Sequence, residues 1–112
     1  MSLTYAVDRL YEIGWLPESG QDLERLSDGR RYPTVRTISQ LFEEQGLCLS
    51  VKGSAKFHCY QATWGPVGEE PDPHRAADDR HGTVIGSCDR EAVVYALAQL
   101  LAAQAELPLA TA

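Results

Sequence analysis

An α+β fold, with a small three-stranded antiparallel sheet covered by about three helices in the order α-α-β-β-β-α, is what this chain predicts. Three observations carry that expectation. The 112 residues suffice for one domain, 1–112, and folding a unit of this size hides roughly two-thirds of its surface. At Leu47 the hydrophobic period drops from helical spacing to strict alternation. The segment Gly82-Thr-Val-Ile-Gly-Ser-Cys-Asp-Arg-Glu91 reads as a short strand running into a capped helix that is apolar on nearly every side.

The first helix is expected over 4–13, with Ala6, Leu10 and Ile13 on one face, Ser2 or Thr4 as its cap and Gly14 as its stop. Leu16 precedes Pro17 and is pushed out of helical geometry, so the chain leaves through a turn. Leu23 and Leu26 lie three apart in Gln21–Ser27, ahead of Asp28-Gly29, and predict a short helical turn before a reversal. A second helix is expected over 33–45, with Pro33 in its first turn, a stripe of Val35, Ile38, Leu41 and Phe42, and Gly46 as its stop.

Leu47, Leu49 and Val51 alternate with Cys48 and Ser50; Lys52-Gly-Ser-Ala55 supplies a turn; and Lys56 to Trp64 returns as the second strand. Gly65 to His81, with Pro66, Pro71 and Pro73 and several acids, predicts a long mobile loop. Thr83-Val84-Ile85 forms the third strand. The last helix is expected over 89–104, capped at Ser87, Cys88 or Asp89 with support from Glu91, and followed by a flexible tail over 105–112. Between Ala92 and Ala103 its only polar side chains are Tyr95 and Gln99, which line up with Glu91 and Glu106 as one narrow stripe; everything else there is Ala, Val or Leu. Such a helix must be buried on more than one side, by its own sheet and a neighbouring helix or by a second copy or partner.

The formal net charge of −6 opposes general attraction to phosphate backbones, because non-specific affinity for nucleic acid comes from Lys and Arg releasing counterions. No apolar run of about 18 residues is present, so no membrane partner is expected. The N-terminal residues lack the basic start and apolar core of a secretory signal, and the expected address is cytoplasmic. Three cysteines, Cys48, Cys59 and Cys88, with no CxxC pair, suit a reducing compartment rather than a disulfide framework.

His58, Cys59, His74, His81 and Cys88, with Asp72, Asp78 and Asp79 close in sequence, are the residue types that bind zinc, but they lack the paired short spacings of zinc sites. Neither a metal nor any other cofactor is expected. Cys88 at a helix N-terminus is the one thiol placed for activation, yet no supporting His can be assigned to it. Glu43-Glu44 and Glu69-Glu70 are adjacent acids with diverging side chains, unlike the facing pair of glycosidases. GxxxxGK[ST], HExxH, GxSxG and GxGxxG are all missing, and no catalytic residue is assigned.

The order helix, hairpin, strand, helix resembles a double-stranded-RNA-binding domain, but the Lys-Lys pair with which that family opens its last helix is replaced here by Asp89-Arg90. Lys56 to Trp64 together with Ser87-Cys-Asp-Arg-Glu-Ala-Val-Val-Tyr-Ala-Leu97 resembles the small phage and prophage proteins with an α-β-β-α (ABA) sandwich. The resemblance covers the C-terminal half, with Gly65 to His81 and Gln21 to Arg31 as departures. It implies a sandwich fold and a mobile-element origin, and it brings no catalytic residues.

The expected function is therefore that of a small non-enzymatic protein, a protein-interaction module or an accessory or inhibitory factor. Tyr95, Gln99, Glu69, Glu70 and Asp72 are the candidate contacts with an unidentified protein partner or a second copy of the chain. Two alternatives stand beside it. One is a nucleic-acid-binding module using Arg30, Arg31, Arg36, Lys52 and Lys56, which the overall charge disfavours; the other is an acidic inhibitor presenting residues 69–79 to a basic host protein.

Overall fold

The computed structural model describes residues 3–17, 20, 22–70, 72, 74, 76, 78 and 80–111, with side chains through 104. Among these the elements are α1 (Leu3–Glu12), β1 (Leu23–Arg25), β2 (Arg31–Pro33), α2 (Val35–Glu44), β3 (Leu47–Ser54), β4 (Cys59–Pro66), β5 (Gly82–Gly86) and α3 (Asp89–Thr111). The class is α+β: three helices, a three-stranded antiparallel sheet in the order β3-β4-β5, and a two-stranded sheet β1-β2.

α1 buries Ala6, Val7 and Leu10. It ends as a helix with Gly at its C-terminal cap should: Gly14 adopts φ +96°, its N–H meets the Tyr11 carbonyl at 3.0 Å, and Trp15 N–H reaches back to Leu10 at 3.3 Å. The helical turn expected at Gln21–Ser27 is not formed by its described residues. Leu23–Arg25 pairs instead with Arg31–Pro33 as a hairpin, in the register Leu23↔Pro33, Glu24↔Tyr32, Arg25↔Arg31. The physical reason is the loop: Ser27-Asp28-Gly29 is a three-residue hairpin connection with Gly29 at φ +94°, closed by Leu26 N–H to the Arg30 carbonyl at 2.8 Å. Asp28-Gly29 turns a hairpin here rather than stopping a helix. Pro33 accordingly closes β2, and the cap of α2 is Thr34, whose hydroxyl oxygen accepts from Thr37 N–H at 3.2 Å.

In the main sheet Leu49 pairs with Trp64, Val51 with Ala62, and Ala62 in turn with Val84. These residues share the helix-covered face. The alternate set, Ser50, Lys52, Gln61, Thr63, Thr83 and Ile85, lies on the other face. The β3–β4 turn falls at Ala55–His58, not at Lys52–Ala55 as expected, because β3 continues in register through Ser54↔Cys59.

α3 occupies the centre. It packs on β5 and β4, with α1 and α2 against its other sides, and Ala92, Val93, Val94, Ala96, Leu97, Ala98 and Leu100 are all buried. The sheet and neighbouring helices of the same chain thus cover the greasy helix. Its backbone continues to Thr111, past the expected end at 104 into the stretch expected to be a flexible tail. The expected polar stripe is broken at its start, since Glu91 is fully buried. Glu91 works as the cap expected of it: one carboxylate oxygen accepts from Ser87 N–H at 2.6 Å and from the Ser87 hydroxyl, while Glu91 N–H points at Cys88 Sγ, 3.4 Å away. Glu106 lies outside the described side chains.

Gly86 lets β5 run directly into this helix start. A Cβ there would sit 2.6 Å from Ala92 N and 3.0 Å from Ala92 Cα, and backbone cannot step aside as a side-chain tip can. Gly86→Ala is therefore expected to cost about 1–3 kcal/mol in chemical denaturation. An unchanged denaturation midpoint would show that α3 can shift freely away from β5.

Candidate functional site

The hydrogen-bonding parity of the sheet can be read from one contact. Val67 N–H bonds the Gly46 carbonyl at 2.9 Å, which makes residues 46 and 67 a hydrogen-bonded pair. Alternation along the ladder then turns the backbone polar groups of Gly65, Thr63, Gln61 and Cys59 toward β3, and those of Trp64, Ala62 and Tyr60 toward Gly82, Val84 and Gly86 of β5. Pro66, which has no N–H, falls at a position that needs none. It follows that the N–H and C=O groups of Thr83 and Ile85 face outward along the open edge of β5. Among the described residues none outside the sheet bonds them.

Beside that edge runs a groove of about 480 Å³. Tyr95, Ala98 and Gln99 of α3 form its floor, Val84 and Ile85 of β5 one wall, and Tyr5 and Arg9 of α1 the other. Tyr5 is 63% exposed and Ile85 51%, so each wall carries a large exposed hydrophobic residue. Burial, with the Glu91 charge next in weight, raises the Tyr95 hydroxyl above its ordinary pKa. Among the described lining residues Arg9 alone is charged, and it pairs at 3.7 Å with Glu12.

Two of the sequence-expected contact residues, Tyr95 and Gln99, meet in this groove. Glu69, Glu70 and Asp72 belong to the segment after β4, away from it. Glu69 is engaged locally, its Oε2 lying 2.8 Å from His81 Nε2, and the Asp72 carboxylate accepts from His74 N–H at 3.0 Å; Glu70 is exposed. Tyr5, Arg9, Val84, Ile85 and Ala98 were not anticipated. The alternation of Thr83 and Ile85 with Gly82, Val84 and Gly86 carried a signal for Ile85, since an apolar residue stands on the polar face of an edge strand.

The basic residues considered for nucleic acid are spread over different elements. Arg30, just before β2, is held between Asp8 and Asp28, and the Asp28 side-chain hydrogen bond raises its pKa; the Arg30 backbone N–H, followed by its side chain, lowers that of Asp28. It also lies over the Tyr11 ring at 5.8 Å. Arg31 is exposed on β2, and its carbonyl accepts from the Tyr11 hydroxyl at 2.6 Å. Arg36 on α2 shares a depression of about 510 Å³ with Asp22 and Glu44. Lys52 stands on the polar sheet face, and Lys56 at the hairpin tip lies 5.5 Å from the Phe57 ring centroid.

His58 sits in the β3–β4 turn at φ +50°, and Cys88 is the half-buried cap of α3. Among the described residues no group of three or more His, Cys, Asp or Glu is placed to hold a metal ion. No described helix is long and apolar enough to cross a membrane. No protein family, curated protein or solved structure matches the chain.

Proposed function

We propose that this protein is a non-enzymatic interaction module that receives an extended segment of a partner protein along the open edge of β5. The observation that supports this reading is the coincidence of an open strand edge with an adjacent groove. The outward backbone groups of Thr83 and Ile85 offer a strand's hydrogen bonds, and the groove lined by Tyr5, Ile85 and Tyr95 offers adjacent apolar burial. A strand laid there gains specificity from side chains entering the groove. The overall negative charge favours a protein segment over nucleic acid, and Arg9 favours an acidic residue in that segment.

Peptides selected from a displayed random library on the native protein are the direct probe. Thr83 and Ile85 amides should exchange at least about tenfold more slowly in the complex. Ile85→Pro removes the outward N–H at an edge position where proline is tolerated, and it should abolish binding that Ile85→Ala only weakens. Equal binding by the two variants, unchanged exchange at both amides, or a salt-dependent shift of duplex RNA in place of peptide binding would overturn the proposal.

A further inference from the structure

We propose that His81 is a proton-dependent clasp that ties the start of the β4–β5 connection, at Glu69, to its end, at Asp78. His81 continues the sheet register one step past Gly82, opposite Gly65, and its ring lies over that glycine: a Cβ on Gly65 would meet His81 Cδ2 at 3.2 Å. The side chain is 12% exposed. Its Nδ1 faces Asp78 Oδ1 and Oδ2 at 2.9 and 3.1 Å, and its Nε2 faces Glu69 Oε2 at 2.8 Å.

An ionised carboxylate only accepts hydrogen bonds, so this arrangement is satisfied when both ring nitrogens carry protons, which is the imidazolium. Loss of one proton leaves a single N–H for two carboxylates. Asp78 keeps it, because Asp78 is fixed independently: its Oδ1 accepts from Arg80 and His81 N–H at 2.8 and 2.7 Å, and its own N–H bonds the His81 carbonyl at 2.9 Å. Glu69 then faces a ring lone pair and is released.

Among the described residues the strands packed against the ring bring no further carboxylate to it. Gly65 of β4 presents no titratable group, Cys48 of β3 lies one strand further along the same row, and the Arg80 guanidinium turns toward Gly46. A second, acid limb follows from Asp78. The Arg80 N–H bond, with the His81 side chain next in weight, lowers its pKa below 3.8, so its hold is complete above that value and fades as pH falls through the lowered one. The clasp is closed between the two limbs and opens on either side.

The test uses the free protein and needs no partner, so it stands or falls apart from the binding proposal. His81 is followed by NMR through its ring Cε1 proton, with exposed His58 and His74 as references, while amide exchange is read at Gly68, Glu69 and Glu70. Exchange at these amides, corrected for its intrinsic pH dependence, should accelerate severalfold in step with His81 deprotonation. Glu69→Gln removes one anionic partner and should lower the His81 midpoint by about one unit. The amide side chain can donate to the neutral ring, so the variant should also lose the pH-linked acceleration. An unchanged midpoint in Glu69→Gln, or loop exchange that ignores His81 titration in the native chain, would overturn the clasp.

Discussion

Trp64→Ala is expected to lower the unfolding free energy by about 3–5 kcal/mol, the cost of emptying a large aromatic site in a closed core. Trp64 is 2% exposed, meets the Phe42 ring edge-on at 5.6 Å and 69°, and covers Gly82 so closely that a Cβ there would lie 2.1 Å from the ring. One term works the other way: the buried Trp64 Nε1 has no hydrogen-bond partner among the described residues, so its removal relieves a desolvated donor. Urea denaturation should therefore place the loss toward the lower end of the range. A double-mutant cycle with Phe42→Ala should return about 0.5–1.5 kcal/mol of coupling from the ring pair. Gly82→Ala, disruptive in the native chain, should become nearly harmless once Trp64 is alanine. A Trp64→Ala variant within 1 kcal/mol of the native protein would mean that the sheet and helices are not joined through this contact.

The second large effect is alkaline. Burial, then the 2.8 Å hydrogen bond that the Tyr32 hydroxyl donates to Glu24, push its pKa up to about 12 from an ordinary 10.0, and the residue is 3% exposed. Between those values the unfolded chain has released a proton that the folded chain still holds, so stability is full below pH 10 and falls as pH rises toward 12. The loss attributable to Tyr32 is about 2.7 kcal/mol, two units at 1.36 kcal/mol each. Tyr32→Phe isolates it. At neutral pH the variant should lose about 0.5–1.5 kcal/mol with the hydrogen bond, while Arg90 still pairs with Glu24 at 3.0 Å. Between pH 10 and 12 its stability should decline less steeply than that of the native protein. Parallel curves for the two proteins would show that the hydroxyl ionises in the folded state as readily as in the unfolded chain.

Groove and clasp depend on different parts of the chain and fail separately. The first is built on the β5 edge and its α1 and α3 walls, the second on Glu69, Asp78 and His81 around Gly65.

The elements with strong local signals were legible in the chain itself. Ala6, Leu10, Gly14, the stripe of α2, the alternation from Leu47 and the Ser87–Glu91 cap each express a preference of the backbone within a few residues, and each forms where expected. The hairpin at Leu23–Pro33 escaped because two leucines three apart suit either a helical turn or short paired strands, and only the partner strand decides. The site was half legible. Tyr95 and Gln99 stood out as polar positions on an apolar helix, but whether Glu91 joined them in water or turned inward to Ser87 depended on where β5 ended.

The sequence by itself determined the class, the three-stranded sheet and the central helix, since periodicity and capping act over short range. The tertiary structure alone decided what lies against what. The register of β4 on β5 sets His81 over Gly65, leaves Thr83 and Ile85 at the edge, and brings α1 up beside them. Those juxtapositions arise from contacts between residues distant along the chain, which no local preference encodes.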